Sequence, residues 1–72
     1  MAATAFEKVR AAAAANGWKT LYASPSGEEY GKGLRRVWAI VDTRGRLIPV
    51  TIQHRPYDGP GKLDRIMAAI TR

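Results

Sequence analysis

Apolar residues recur at helical spacing near both ends of the chain and alternate with polar residues in the middle. Phe6, Val9 and Ala13 form one apolar stripe, and Leu63, Ile66, Met67 and Ile70 fit the i, i+3, i+4, i+7 template completely. The pattern predicts one helix over about residues 4–16 and another from residue 60 or 61 to 71.

The ends of the first helix carry clear sequence signals. Thr4 and Glu7 have the spacing of a capping box, in which each side chain satisfies a free backbone amide. Asn16 and Gly17 predict the end of the helix, because glycine readily adopts the left-handed conformation that follows a helix. Trp18 then supplies the apolar contact that often accompanies such an end, and it is predicted to be core.

Three strands are predicted between the helices, over 19–23, 34–42 and 46–54. The segment 24–33 contains Pro, Ser and three Gly, and the segment 55–61 contains further turn residues, so both are predicted to be loops. Proline has no amide to donate, so Pro49 indicates an edge strand or a bulge at that point.

The turn at 42–45 has a glycine in the bulge position and predicts the pairing of the second and third strands. It places Asp42 opposite Arg46, Ile40 opposite Ile48, Trp38 opposite Val50 and Arg36 opposite Ile52. Opposite residues share a face of the sheet. The predicted core face therefore carries Trp38, Ile40, Ile48, Val50 and Ile52.

These elements predict a single α+β domain over residues 1–72. Both helices are expected on the apolar face of a three-stranded antiparallel sheet, in a two-layer αβββα sandwich. The other face would carry Val37, Val41 and Leu47 as an exposed apolar strip. Such strips often mark protein interfaces, so these three residues are candidates for binding a partner protein or a second copy.

The charge points to a polyanionic partner. The 72 residues carry a formal net charge of +6, one histidine and no cysteine. This balance is typical of nucleic-acid binders, and the absence of cysteine fits a reducing cytoplasm. No apolar run is long enough to span a membrane. We expect no metal, because one histidine without cysteine makes a zinc site improbable, and no cofactor.

Three segments resemble the HicA-type (YcfA-like) toxin fold, which is similar to the double-stranded RNA-binding domain. They are Asn16-Gly17-Trp18, the strand segment Val50-Thr51-Ile52-Gln53-His54-Arg55, and Pro60-Gly61-Lys62-Leu63-Asp64-Arg65-Ile66 at the start of the last helix. The resemblance implies an αβββα fold and RNA as the partner. The family's ribonucleases carry a catalytic histidine near the start of the second strand, where this chain has Gly31 to Trp38 without any histidine. Kinship would therefore imply a fold kept for binding.

Basic residues cluster around the predicted strand ends and the last helix. The candidate phosphate contacts are Lys32, Arg35, Arg36, Arg55, Lys62 and Arg65. The resemblance implies the same role for Lys62 and Arg65, since RNA-binding domains of this type use a lysine-bearing helix start. The alternative for each is a solvated side chain, with one of Arg35 and Arg36 paired to Glu28 or Glu29.

His54 is the only weak catalytic candidate, with Asp58 or Tyr57 as a possible orienting group. A histidine satisfied by a neighbour is the simpler interpretation. Among the aromatic residues, Trp38 is predicted to be core and Tyr30 to be exposed in the loop beside Lys32.

The sequence thus favours a small non-catalytic nucleic-acid-binding module that contacts phosphates, with RNA preferred to DNA. One alternative is a small phage or bacterial regulator that binds a host protein or dimerises. A weaker alternative is a HicA-like ribonuclease that uses His54.

Overall fold

The computed structural model describes residues 4–42, 44 and 46–72, with only the backbone at Ile48. The elements are α1 (Ala5–Ala15), β1 (Lys19–Ser24), β2 (Gly27–Lys32), β3 (Arg35–Val41), β4 (Leu47–Ile52), β5 (Arg55–Tyr57) and α2 (Lys62–Thr71). All strands join one antiparallel sheet in the order β1-β2-β3-β4-β5. The α+β class is confirmed.

The sheet has five strands, and the prediction of three was wrong. Residues 24–33 do not form a long loop, because Ser24 and Gly27 pair across a two-residue turn and start β2. Residues 55–57 form β5 against β4. Both segments are rich in turn residues, and their strands are stabilised by pairing with a neighbour more than by their own composition.

The first helix is formed as predicted. Thr4 and Glu7 make a complete capping box, with both backbone-to-side-chain hydrogen bonds at 3.1 Å. Gly17 has a φ of 81°, the left-handed conformation expected after the helix. Trp18 is buried, as the sequence predicted.

The buried face of the sheet differs from the predicted one. Val37 and Val50 are almost fully buried, whereas Trp38 and Ile40 are only half-buried. The buried residues of both helices and of the sheet form one cluster: Val9, Ala13, Trp18, Tyr30, Val37, Ala39, Val41, Leu47, Val50, Ile66, Ala69 and Ile70. The core prediction was therefore wrong for Trp38 and Ile40 and right for Val50. Ile52 is partly buried and packs against the core cluster, while the side chain of Ile48 lies outside the described residues.

A change of register in the β3–β4 pairing explains this reversal. Val41 pairs with Leu47 and Ala39 with Val50, so two residues of β4 lie opposite one residue of β3. That count is typical of a β-bulge. The extra residue brings Leu47 onto the same face as Val50 and Ile52, opposite Val37, Ala39 and Val41.

The predicted pairing therefore holds near the turn and fails beyond the bulge. The Asp42 amide donates to the Arg46 carbonyl oxygen at 2.9 Å, as the turn predicts. Trp38 then pairs with Thr51 in place of Val50. The bulge lies at Pro49, as the proline predicted. β4 is not an edge strand, because β5 pairs with its other side. Thr43 and Gly45 of the predicted turn lie outside the described residues.

The predicted apolar strip for a protein partner does not exist on the surface. Val37, Val41 and Leu47 are all buried in the core cluster. The interface prediction was wrong for these residues because the bulge brings Leu47 onto the same buried face as Val50, opposite Val37 and Val41.

Tyr30 was predicted to be exposed and is instead 1% exposed, inside the core. Its hydroxyl donates to Glu28 Oε1 at 2.7 Å, and Glu28 forms an ion pair with Arg10 of α1 at 3.1 Å. Burial is the main cause that raises the pKa of Tyr30, and the hydrogen bond to Glu28 raises it further. The phenol therefore remains neutral. This network links α1 to β2, and neither Arg35 nor Arg36 pairs with Glu28.

No helix in the described part of the chain is long and apolar enough to cross a bilayer.

Candidate nucleic-acid interface

Trp18 and Arg35 bind the carboxyl end of α2. The last carbonyl groups of a helix have no partner within it, and cations are favoured there. Trp18 Nε1 donates to the Ile70 carbonyl oxygen at 2.8 Å. Arg35 donates to the carbonyl oxygens of Ala69 at 2.5 Å and of Arg72 at 3.0 Å, and its guanidinium lies 5.1 Å from the Trp18 ring.

Arg36 is held by the backbone of the β2–β3 turn. Its Nη1 donates to the carbonyl oxygens of Gly33 and Arg35 at 2.7 and 2.8 Å. The Arg36 amide donates to the Gln53 side chain, and the Gln53 amide donates to the Arg36 carbonyl oxygen at 3.0 Å. The backbone thus fixes the position of this guanidinium at the end of the sheet.

Two adjoining hollows lie between this end of α2 and the strands. The smaller, of about 80 Å³, is lined by Trp18, Arg35, Arg36, Val37, Ile52, Gln53, Ala69 and Arg72. The larger, of about 280 Å³, is lined by Ile52, Arg65, Ala68, Ala69 and Arg72. They share Ile52, Ala69 and Arg72, and together they are called the arginine groove here.

The arginine groove is strongly cationic. Arg35, Arg36, Arg65 and Arg72 line it, and none of its lining residues within the described chain is acidic. Arg65 lies with its guanidinium 4.0 Å from the centre of the Tyr57 ring, whose hydroxyl donates to the Pro60 carbonyl oxygen. The stacked ring holds Arg65 at the rim of the groove.

The six predicted basic residues divide into three groups. Arg35, Arg36 and Arg65 line the groove, and Arg35 also performs a structural role that the sequence did not indicate. Lys32 and Arg55 are exposed beside it, at positions paired with Arg35 and Ile52. Lys62 forms an ion pair with Asp58 at 3.4 Å, so its charge at the start of α2 is partly neutralised.

Sequence reasoning missed Arg72. It follows Arg65 by seven residues, which places both on one face of a helix, with Ala68 and Ala69 between them. That spacing could have identified Arg72 as a partner of Arg65. Arg72 lies just after the last residue of α2, so it was not counted with the helix.

His54 is exposed in the β4–β5 turn, and both Gln53 and His54 have positive φ angles, of 50° and 67°. Two left-handed residues are typical of a type I′ hairpin turn. The predicted orienting groups are engaged elsewhere, Asp58 with Lys62 and Tyr57 with Pro60. Among the described residues, no three or more His, Asp or Glu side chains are grouped closely enough to hold a metal ion.

Comparisons with protein-family models, with curated proteins and with solved structures find no match for this chain. The resemblance to HicA-type toxins and to double-stranded RNA-binding domains therefore stays a prediction, and function is inferred from the residues themselves.

Proposed function

We propose that this protein is a non-catalytic nucleic-acid-binding module that holds phosphate groups in the arginine groove. The observation that carries the proposal is the lining of the two adjoining hollows, which among the described residues includes four arginines and no acidic side chain. RNA is the preferred partner, as the sequence resemblance implies, and a cytoplasmic location fits this role.

Arginine suits this task because its planar guanidinium presents five N–H donors in a fork that matches a phosphate. The hydrogen bonds of Arg35 to Ala69 and Arg72 use two of these donors and leave others available. Because the backbone and Trp18 already hold the side chain, less conformational entropy is lost when a phosphate binds.

We propose further that both helices cover the Val37 face of the sheet and that the Trp38 face is open. Support comes from the buried cluster, in which Val9 of α1 and Ile66 of α2 join Val37 and Val50.

Binding is tested with fluorescent duplex RNA, single-stranded RNA and duplex DNA at low and near-physiological salt. We expect submicromolar binding to RNA that weakens steeply with salt, since neutralised phosphates release counterions. The double variant Arg65→Glu/Arg72→Glu is expected to abolish binding. Milder Arg→Gln changes should lower the slope of log affinity against log salt by about 1 for each phosphate that the variant no longer neutralises.

The matched control is Lys8→Glu/Arg44→Glu, which changes the net charge equally at two exposed positions outside the groove. We expect it to retain most of the affinity. Equal losses in the two double variants, or weak binding that is the same for all three nucleic acids, would show that the charge serves solubility alone.

A second candidate function is binding of a protein or a second copy, through residues other than those predicted. Leu21, Tyr22 and Leu34 are exposed apolar side chains, and Leu34 is 93% exposed. Analytical ultracentrifugation across a concentration series tests self-association. A dimer that Leu34→Ser or Leu21→Ser dissociates would favour this function.

A further inference from the structure

Two aromatic rings stack on the face of the sheet opposite the core. Tyr22, Glu29, Trp38, Thr51 and Pro56 form one row across the five strands. Tyr22 and Trp38 lie on the two strands that flank Glu29, and their rings stack with centroids 5.4 Å apart and an interplanar angle of 16°. Tyr22 is 53% exposed and Trp38 is half-buried, so this pair, called the aromatic platform here, is accessible from solvent.

A glycine in β2 lets two side chains of the neighbouring strands lie over the sheet beside the aromatic platform. Gly31 lies between Lys19 and Arg36 in the neighbouring row, on the same face as Tyr22 and Trp38. A Cβ at Gly31 would meet Leu21 Cδ1 at 2.7 Å and Arg36 Nη1 at 3.0 Å, so those two side chains cover the glycine. Arg36 also lines the arginine groove, so this residue adjoins both the groove and the row beside the platform.

The charges of this face favour a polyanion that carries flat rings. Lys19 and Arg36 lie on either side of Gly31 in the row next to the platform. Glu29 is the one acidic residue of the platform row. An apolar protein surface would match the rings but would offer the two cations no anionic partner. A nucleic-acid strand offers phosphates for the cations and bases for the rings.

Only unpaired bases can use such a surface. In a duplex, each base is covered above and below by its neighbours, whereas single-stranded bases can be splayed and stacked on aromatic side chains. The two rings stack on each other, so each has one face that the other does not cover.

We infer that Tyr22 and Trp38 stack on unpaired bases of a single-stranded nucleic acid whose backbone continues into the arginine groove. This inference rests on the proposed function and narrows its substrate class from nucleic acid in general to single strands. The aromatic platform then supplies base contacts, and the groove supplies phosphate contacts.

The test compares two labelled strands of equal length, about ten nucleotides, one of oligouridylate and one abasic strand with the same phosphates. We expect the oligouridylate to bind at least tenfold more tightly, because each stacked base is worth about 1–3 kcal/mol. Tyr22→Leu keeps apolar bulk but removes the aromatic ring. It should lower oligouridylate affinity about tenfold and leave abasic binding and the salt dependence unchanged, while Tyr22→Phe retains the affinity.

A spectroscopic measurement supports the same test without relying on a destabilising variant. Base stacking should quench tryptophan emission in the wild-type protein. Trp38→Phe keeps buried Trp18 as the remaining tryptophan and should bind nearly as well, with the quenching abolished. Circular dichroism checks that each variant is folded.

Failure of this inference differs from failure of the proposed function. Equal affinity for both strands, or no effect of Tyr22→Leu, would overturn the aromatic platform while leaving phosphate binding intact. Loss of binding to every strand would overturn the proposed function itself. A stable dimer that Tyr22→Leu dissociates would also overturn the inference, since a second copy would cover the rings.

Discussion

The two faces of the sheet are built from the same strands and differ in what they contact. On β3, Val37, Ala39 and Val41 belong to the buried core cluster, while Trp38 and Ile40, on the other face, are half-buried. Both sets are apolar, and the larger side chains lie on the more exposed face. Residue size and hydropathy therefore do not decide which face becomes core when a strand is apolar on both sides.

The largest expected effect tests which face is core. Val37→Asp places a carboxylate where the side chain is 2% exposed, without a partner. We expect a loss of about 4 kcal/mol or more in the free energy of unfolding, enough to leave most of a small domain unfolded. Urea denaturation followed by circular dichroism measures it.

The control for that variant is Thr51→Asp, on the Trp38 face. Thr51 is paired with Trp38 and is partly exposed. We expect a loss of about 1 kcal/mol or less, within the range of strand propensities. A folded Val37→Asp protein together with an unfolded Thr51→Asp protein would reverse the assignment of the faces.

A second prediction concerns the close approach of β2 to β3 at Gly27. Its φ is 157°, and an added Cβ would contact the Ala39 carbonyl oxygen and lie 3.0 Å from the Ile40 Cα. Because backbone atoms cannot move aside cheaply, we expect Gly27→Ala to cost about 1–3 kcal/mol. The measurement is the urea midpoint.

Gly31→Ala is its matched control in the same strand. There the nearest atoms belong to the side chains of Leu21 and Arg36, which can shift at a lower cost than backbone atoms. The loss in unfolding free energy should be clearly smaller than at Gly27. Equal losses would mean that β2 does not approach β3 as closely as described.

A third prediction concerns the buried hydroxyl of the core face. Tyr30→Phe removes the hydrogen bond to Glu28 and should cost about 1 kcal/mol at neutral pH. The pKa of Tyr30 is raised above its ordinary value of 10.0, so its contribution is present below pH 10 and is lost as pH rises further. The wild type should therefore lose stability at alkaline pH more steeply than Tyr30→Phe. Parallel pH profiles of the two proteins would contradict this.

The smallest expected effect lies in the turn that precedes the bulge. The Asp42 carboxylate accepts hydrogen bonds from the amides of Arg44 and Arg46 and from Arg46 Nε, and the amide of Arg46 contributes most to lowering its pKa. A lowered pKa stabilises the folded state above pH 3.8, and that contribution is lost as pH falls further. Asp42→Asn should therefore show a flatter decline in stability between about pH 5 and 2. An unchanged decline would show that the turn does not contribute.

Much of the proposed phosphate-binding surface could be predicted from local sequence signals. Arg35, Arg36 and Arg65 were recognisable because basic residues cluster at predicted strand and helix ends. Whether each guanidinium faces the groove or binds a helix end depends on which elements meet there. The double role of Arg35, and the participation of Arg72, follow from the packing of α2 against β3 and could not be predicted without it.

Local sequence accounts for the two helices, the capping box at Thr4 and Glu7, and the turn contact of Asp42 with Arg46, because each depends on neighbours along the chain. The number of strands and the choice of the buried face depend instead on contacts between distant segments. Strand pairing supplied partners for residues 24–33 and 55–57. The bulge near Pro49 then shifted the register by one residue, and in a strand of period two that shift exchanges the buried and exposed faces.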